Sequence, residues 1–256
     1  MKGKIFTLAE IRSAYTEDKI NEDREAHWLY FVIRKISFYP TYLFMRLGIS
    51  AGQATFSSLI IGVLGCIFLA LGNRIIEILG AVLLNLWIVL DCVDGNIARS
   101  NWSSNRYGEF IDTLSGYIIY IFLFISVGIA AFRHSNMFLE KAKYIDSMVW
   151  IILGMGNSLV IILSRLIFQK FANLFSDCKQ VKQRLKGESG LRKLFFRIGH
   201  NLISSSGFLL PILFLAVMFN LLNAFLVSYI ILNTMALFAT IYRTTVESKR
   251  LTVDKS

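Results

Sequence analysis

Residues 75–132 read IIEILGAVLLNLWIVLDCVDGNIARSNWSSNRYGEFIDTLSGYIIYIFLFISVGIAAF: an apolar run, a polar stretch dense in carboxylates, and a second apolar run. A helix needs about 20 largely apolar residues to cross a bilayer, because away from water the backbone must satisfy its own polar groups. Residues 75–90 and 108–132 read as two such spans. Four more follow outward from them, at 55–71, 145–168, 202–219 and 222–242.

Composition agrees. Apolar residues make up 55% of the 256-residue chain and charged residues 17%, against about a quarter charged in a soluble globular domain. Two prolines exclude a Pro-rich linker architecture. Glycine and proline do not cluster, and there is no repeat or low-complexity tract. The first 25 residues hold no apolar core of the kind a cleavable signal peptide needs. Cys66, Cys92 and Cys178 have no ligand-type spacing and read as free thiols.

The net charge of +10 is read as topology and contact with anionic lipid rather than nucleic acid, because the cations flank the apolar spans. The segment up to Gln53, the link between the second and third spans, the stretch 165–197 and the tail together hold 23 of the 27 Lys and Arg. The opposite side has only Arg74, Arg133, Lys141 and Lys143. That imbalance predicts both termini in the cytoplasm. Before the first span, residues 28–50 mix aromatics with Arg34, Lys35 and Arg46. They read as an amphipathic helix in the interface, with Trp28, Phe31, Phe38 and Phe44 dipping in and the cations at the headgroups; the alternative is a soluble helix packed on the bundle. The expected fold is therefore an all-α integral membrane protein of six transmembrane helices preceded by this interfacial helix. It divides into a cytoplasmic segment 1–53, a transmembrane catalytic domain 54–243 and a cytoplasmic tail 244–256.

Carboxylates inside such a bundle are functional candidates. Glu77 follows Arg74 by one turn and reads as its structural partner. Glu140 and Asp146 fall in or beside the outer loop, and Asp177 and Glu188 in the basic cytoplasmic segment. Asp91, Asp94, Glu109 and Asp112 remain. Asp91 and Asp94 share a helix face, as do Glu109 and Asp112. The polar connection 95–107 brings the two pairs together. Carboxylates at close range repel unless a cation neutralises them, and oxygen-only ligands select a hard ion, Mg²⁺ or Mn²⁺. His27, His134 and His200 are scattered and offer no competing site. The plain alternative has the carboxylates pairing with Arg99 and Arg106 as helix caps.

The run Asp91-Cys-Val-Asp94-Gly95-Asn-Ile-Ala98-Arg99, eight residues, then Gly108-Glu-Phe-Ile-Asp112-Thr-Leu-Ser-Gly116 resembles the signature D-x2-D-G-x2-A-R-x8-G-x3-D-x3-D of the CDP-alcohol phosphotransferases. Seven of its eight fixed positions match, with both spacers intact. Residues 47–55 resemble the family's entry to span one, with Ala51-Gly52 in place of a common Pro-Asn. The resemblance implies an enzyme that moves a phosphoalcohol or phosphatidyl group from a CDP-linked donor to an acceptor and releases CMP. It implies Asp91, Asp94 and Asp112 as metal ligands, and Gly95, Ala98, Arg99 and Gly108 around the CDP moiety, with Arg99 on the diphosphate. It also implies a homodimer. A compact chain of this kind points to the plasma membrane of a prokaryote, in phospholipid or related glycolipid synthesis, with the site facing the cytoplasm.

One position departs. The family's last aspartate, a general base, falls on Gly116, which accepts no proton. Three accounts stand open. Glu109, one turn from Asp112, serves as base or ligand; its plain alternative is a helix-start residue facing the dipole. Or the acceptor is already ionised. Or the protein is a non-catalytic, base-less CDP- or lipid-binding relative.

Arg165, ending an apolar run on span four, is a candidate acceptor-binding cation. The interleaved basic and aromatic residues of 170–197 read as topology first and headgroup attraction second. Asn157, Ser158, Asn233 and Thr234 read as helix-packing residues. A transporter fits less well, because its midplane polar residues are missing.

Overall fold

The computed structural model describes residues 7–71, 73–101, 103, 105–134, 148–175 and 191–253, and for 191–196 and Val253 the backbone only. Cys178, Glu140, Asp146, Asp177, Glu188, the start of the fourth predicted span and most of the basic stretch lie outside the described residues.

All regular structure among the described residues is helical. Two short helices come first, α1 (Leu8–Ser13) and α2 (Glu17–Asp23), started by Thr7 and Thr16 side chains that accept backbone N–H groups. A π-helical turn, Leu29–Ile33, leads into α3 (Arg34–Arg46). Then come α4 (Ala51–Ala70), α5 (Arg74–Ser100), α6 (Arg106–Arg133) and α7 (Met148–Leu174). The chain continues with α8 (Leu191–Ile203), α9 (Leu209–Met218) and α10 (Leu222–Val253). Ser50 and Gln53 form a reciprocal capping box at the start of α4, and Asn73 and Asn105 cap α5 and α6.

Five helices, α4, α5, α6, α7 and α10, are long and apolar enough to cross a membrane. Their outward faces are apolar too. On α4, Phe56, Ile60, Leu64, Ile67 and Leu71 are exposed at a helical spacing, as are Ile152, Met155, Leu159 and Leu163 on α7. In water such stripes would be polar; their match to helical periodicity is what lipid-facing surfaces require. The inward faces meet around Trp87, Leu84, Ile119, Leu123, Phe124, Leu210 and Leu213.

Close approach of backbones holds the bundle. A Cβ on Gly80 would lie 2.6 Å from the Leu69 amide nitrogen and 2.7 Å from the Gly65 carbonyl oxygen, so α4 and α5 touch through main chain. Gly128 and Gly154 do the same for α6 and α7, where a Cβ on Gly154 would lie 2.5 Å from the Phe124 carbonyl oxygen. Asn233 donates to Asn157 at 2.6 Å, and the Ser158 hydroxyl donates to the Ile121 carbonyl at 2.9 Å. Asn157, Ser158 and Asn233 are thus packing residues, as their sequence context indicates.

The segment 202–219 differs from expectation. It is not one helix. α8 stops at Ile203, the chain turns through Ser204–Gly207, and α9 has only 10 residues, about 15 Å of helix against a hydrocarbon core of about 30 Å. The break is stabilised from outside. The Phe208 amide bonds to the Asn201 carbonyl at 2.6 Å, the Tyr120 hydroxyl bonds to Ser205, and Tyr229 donates to the Leu202 carbonyl at 2.8 Å. The Asn201 side chain accepts from the His27 amide and donates to the Glu25 carbonyl, both at 2.7 Å. Mean hydropathy passes over Ser204-Ser205-Ser206-Gly207 because strongly apolar neighbours outweigh it, while the backbone takes the alternative partners.

The helix before the first span also differs in which face points where. Arg34 and Phe38 are buried, at 5% and 7% exposure, with Ser37 and Thr41 between and after them. Both are covered by the protein itself, and Trp28 and Phe44 are partly covered by the core. The exposed side chains are Phe31, Ile36, Tyr39, Leu43 and Leu47 together with Lys35 and Arg46, so these two cations and Phe31 do lie on the outer face. The buried face combines Leu29, Ile33 and Phe38 with Arg34, Ser37 and Thr41, and the outer face carries large apolar side chains interspersed with Lys35 and Arg46. Arg34 turns inward because Asp23 neutralises it there, at 2.7 Å.

Glu77 pairs with His134 rather than Arg74: the His134 Nε2 lies 2.7 Å from its carboxylate, and Arg74 donates to the Met218 carbonyl. Cys66 and Cys92 are free and buried.

A candidate active site at the adjoining ends of α5 and α6

α5 runs ten residues beyond the predicted span, so Asp91, Asp94, Gly95, Ala98 and Arg99 all sit on one helix. The polar connection shrinks to 101–105. Three-residue spacing along α5 puts Asp91 and Asp94 on neighbouring positions of one face. Asp112, two turns into α6, faces them.

The carboxyl groups of Asp91 and Asp112 are in hydrogen-bonding contact, and Asp94 lies within electrostatic reach of both. Asp94 itself accepts a 2.6 Å hydrogen bond from the Thr55 hydroxyl of α4, and a further bond from the Gly95 amide. Among the described residues no Lys, Arg or His makes a salt bridge to any of the three. Arg99 points to Asn96, and Arg106 is exposed. Salt bridges from Arg99 or Arg106 to these three carboxylates are thus absent among the described residues.

Arg34 acts on Asp91, Lys19 on Asp112 and Arg99 on Asp94 only from beyond salt-bridge distance, and two carboxylates in contact favour a shared proton or a cation between them. The donors are oxygen only, which suits a hard divalent ion in kind. Among the described residues no three Asp, Glu, His or Cys side chains enclose a common point; Asp94 is turned toward Thr55 and its own helix. The oxygen donors suit such an ion in chemistry, whereas Asp94, held to one side by the Thr55 bond, is not gathered with the other two around one point.

Arg99 lies over Gly95. A Cβ built there would meet its guanidinium nitrogens at 3.2 and 3.3 Å, so glycine clears space for this arginine. Ala98 is half-buried, and Gly108 and Glu109 are exposed at the start of α6. Glu109 is close enough to Asp112 to act on it electrostatically. Gly116 is open: a Cβ there meets nothing within 4 Å. Arg165 is not with the aspartates. Its guanidinium stacks on the Tyr120 ring, 3.9 Å from the centroid, two turns further along α6 from Asp112.

The sequence of the CDP-alcohol phosphatidyltransferase family, as a model, matches residues 50–186, more than half of the chain. The chain belongs to that family. Its members are transferases of substituted phosphate groups that use CDP-linked donors at membranes and generally require divalent metal ions. The match takes in α4 to α7 and hence every residue of the aspartate cluster, while α8, α9 and α10 lie beyond it. No curated protein matches the chain.

Sequence reading missed Thr55, Asn96, Ser37, Thr41 and the Asp23–Arg34 pair. Thr55 and Asn96 had a faint signal, as polar residues within or beside apolar runs. Asp23 had none, because only the fold brings it to α5.

Proposed function

We propose that this member of the family is an active enzyme that transfers a phosphoalcohol or phosphatidyl group from a CDP-linked donor, with release of CMP. The observation that carries the proposal is the convergence of Asp91, Asp94 and Asp112 beside Arg99, with no salt bridge to any of the four among the described residues. Asp91, Asp94 and Asp112 would hold Mg²⁺ or Mn²⁺, which supplies charge neutralisation of the diphosphate. Arg99 holds the diphosphate through its planar fork. Gly95, Ala98 and Gly108 leave room for the cytidine end. The acceptor oxygen bonds to the β-phosphorus while the bond from that phosphorus to the bridging oxygen breaks. CMP leaves with that oxygen and the electron pair.

The acceptor is proposed to carry a phosphate or carboxylate oxygen already ionised at neutral pH, since Gly116 accepts no proton; Glu109 is the reserve base. The split segment 202–219 is proposed as the sixth crossing, with 1–53 and 244–256 in the cytoplasm of a prokaryote and the site opening to that side. A homodimer is proposed on family grounds. The pathway fits phospholipid or related glycolipid synthesis.

The test is CMP release from purified protein with Mg²⁺, a panel of CDP-linked donors and mixed acceptors. Release that depends on metal supports the proposal. Tight CDP binding with no CMP from any donor favours the non-catalytic reading.

Two expected outcomes refine it. Gly116→Asp should fold normally, since its Cβ meets open space. It should speed transfer to a neutral alcohol by about 10²-fold, the usual scale of general-base catalysis, and leave transfer to an ionised acceptor unchanged. Arg165→Ala should raise the Michaelis constant of an anionic acceptor roughly tenfold, the scale of one charged hydrogen bond, with CDP affinity unaltered. An unchanged acceptor constant removes Arg165 from the site.

A further inference from the structure

The Asn96 side-chain amide is 3% exposed and fully committed. Its Oδ1 accepts from Arg99 at 2.8 Å and from Arg34 at 3.1 Å. Its Nδ2 donates to the Ser37 and Thr41 hydroxyls, each at 3.1 Å. An amide offers two donors and one oxygen with two lone pairs, so no capacity is left and its orientation is fixed. Arg34 is fixed in turn. Its Nε and one terminal nitrogen both lie 2.7 Å from Asp23 Oδ2, which also accepts from the Tyr15 hydroxyl at 2.7 Å. Lys19 approaches the other oxygen of Asp23 at 3.5 Å.

Two guanidinium groups therefore share one oxygen, and they are not equivalent. Arg34 is neutralised by Asp23. Arg99 has no carboxylate within salt-bridge distance among the described residues, and it is held flat above Gly95. A free arginine loses side-chain entropy when it grips an anion; here much of that loss has already occurred on folding.

We infer that Asp23, Arg34 and Asn96 are positioning residues that hold Arg99 ready for the diphosphate, so that the segment before the first span forms part of the nucleotide site. This rests on the reading of Arg99 as the diphosphate-holding residue. None of the three touches substrate; they act through Arg99.

The test is a double-mutant cycle on the full-length protein, reading CDP affinity in the presence of Mg²⁺ for wild type, Asn96→Leu, Arg99→Ala and the double variant, with thermal melting as a folding check. Asn96→Leu should weaken CDP roughly tenfold, the scale of losing charge-assisted hydrogen bonds in a buried site. It should have almost no further effect once Arg99 is alanine, because residues acting through one another are non-additive. A general packing defect would instead weaken CDP equally in both backgrounds. Additive losses, or no loss in Asn96→Leu, overturn the inference and leave the role of Arg99 standing. If Arg99→Ala itself leaves CDP affinity intact, the reading of Arg99 fails and the inference falls with it. Should Asn96→Leu not fold, Asp23→Asn in the same cycle decides, since it frees Arg34 from a distance and must show the same dependence on Arg99.

Discussion

Asp112→Asn is expected to abolish metal-dependent CMP release, with a loss of about 10³-fold or more, on the scale of several kcal/mol of lost charge stabilisation. The fold should not suffer. Asn matches Asp in size, and the Asp112 carboxyl makes its hydrogen-bonding contact with another carboxyl, that of Asp91. An amide at 112 can donate to Asp91 and removes a like-charge repulsion, so the melting temperature should stay level or rise. Activity and stability then move apart, which a residue serving only the packing could not produce. The measurement pairs CMP release across a Mg²⁺ titration with a thermal melt of the same sample. Retained activity would remove Asp112 from the metal site. A collapse of both quantities would make its role structural.

Gly80→Val is expected to disrupt the bundle itself. A Cβ at this position would meet the Leu69 amide nitrogen at 2.6 Å, the Gly65 carbonyl oxygen at 2.7 Å and the Phe68 carbonyl carbon at 3.1 Å. These are main-chain atoms inside a helix and cannot rotate away as a side chain would. α4 and α5 must separate, at about 3 kcal/mol or more, the upper end of measured overpacking costs. The consequence reaches the site, because Thr55 on α4 holds Asp94 on α5 across this same helix pair. The variant should express poorly or melt far below wild type, and whatever folds should bind CDP weakly. Gly156→Ala serves as the control: its Cβ meets nothing within 4 Å, and it should behave as wild type.

The clustering of the acidic residues was legible in residues 91–112. Carboxylates are costly in a bilayer, so their clustering at two span ends with three-residue spacing already indicated one acidic locus. What spacing could not convey was the extent of α5. Residues 91–100 are polar enough to resemble a loop, yet they remain helical to Ser100. Their inner face is covered by α3 and α4, which supply Ser37, Thr41 and Thr55 as partners. The segment 202–219 misled in the opposite direction. Its apolar residues satisfy a hydropathy window, whereas its break depends on Tyr120, Tyr229 and Asn201, residues distant in sequence or pointing back toward the chain before the first span.

By itself, the sequence determined the helical membrane class, the family and the clustering of acidic residues at two span ends, because bilayer thickness, backbone satisfaction and the cost of buried carboxylates act locally on composition and spacing. The tertiary structure alone decided that Arg34 turns inward to Asp23, that Asn96 ties it to Arg99, and that Asp94 rests against Thr55. Each of these joins residues separated by 11 to 62 positions or depends on such a join. Burying a charge or an amide is tolerable only where a distant partner arrives to satisfy it, and no local pattern in the chain records that arrival.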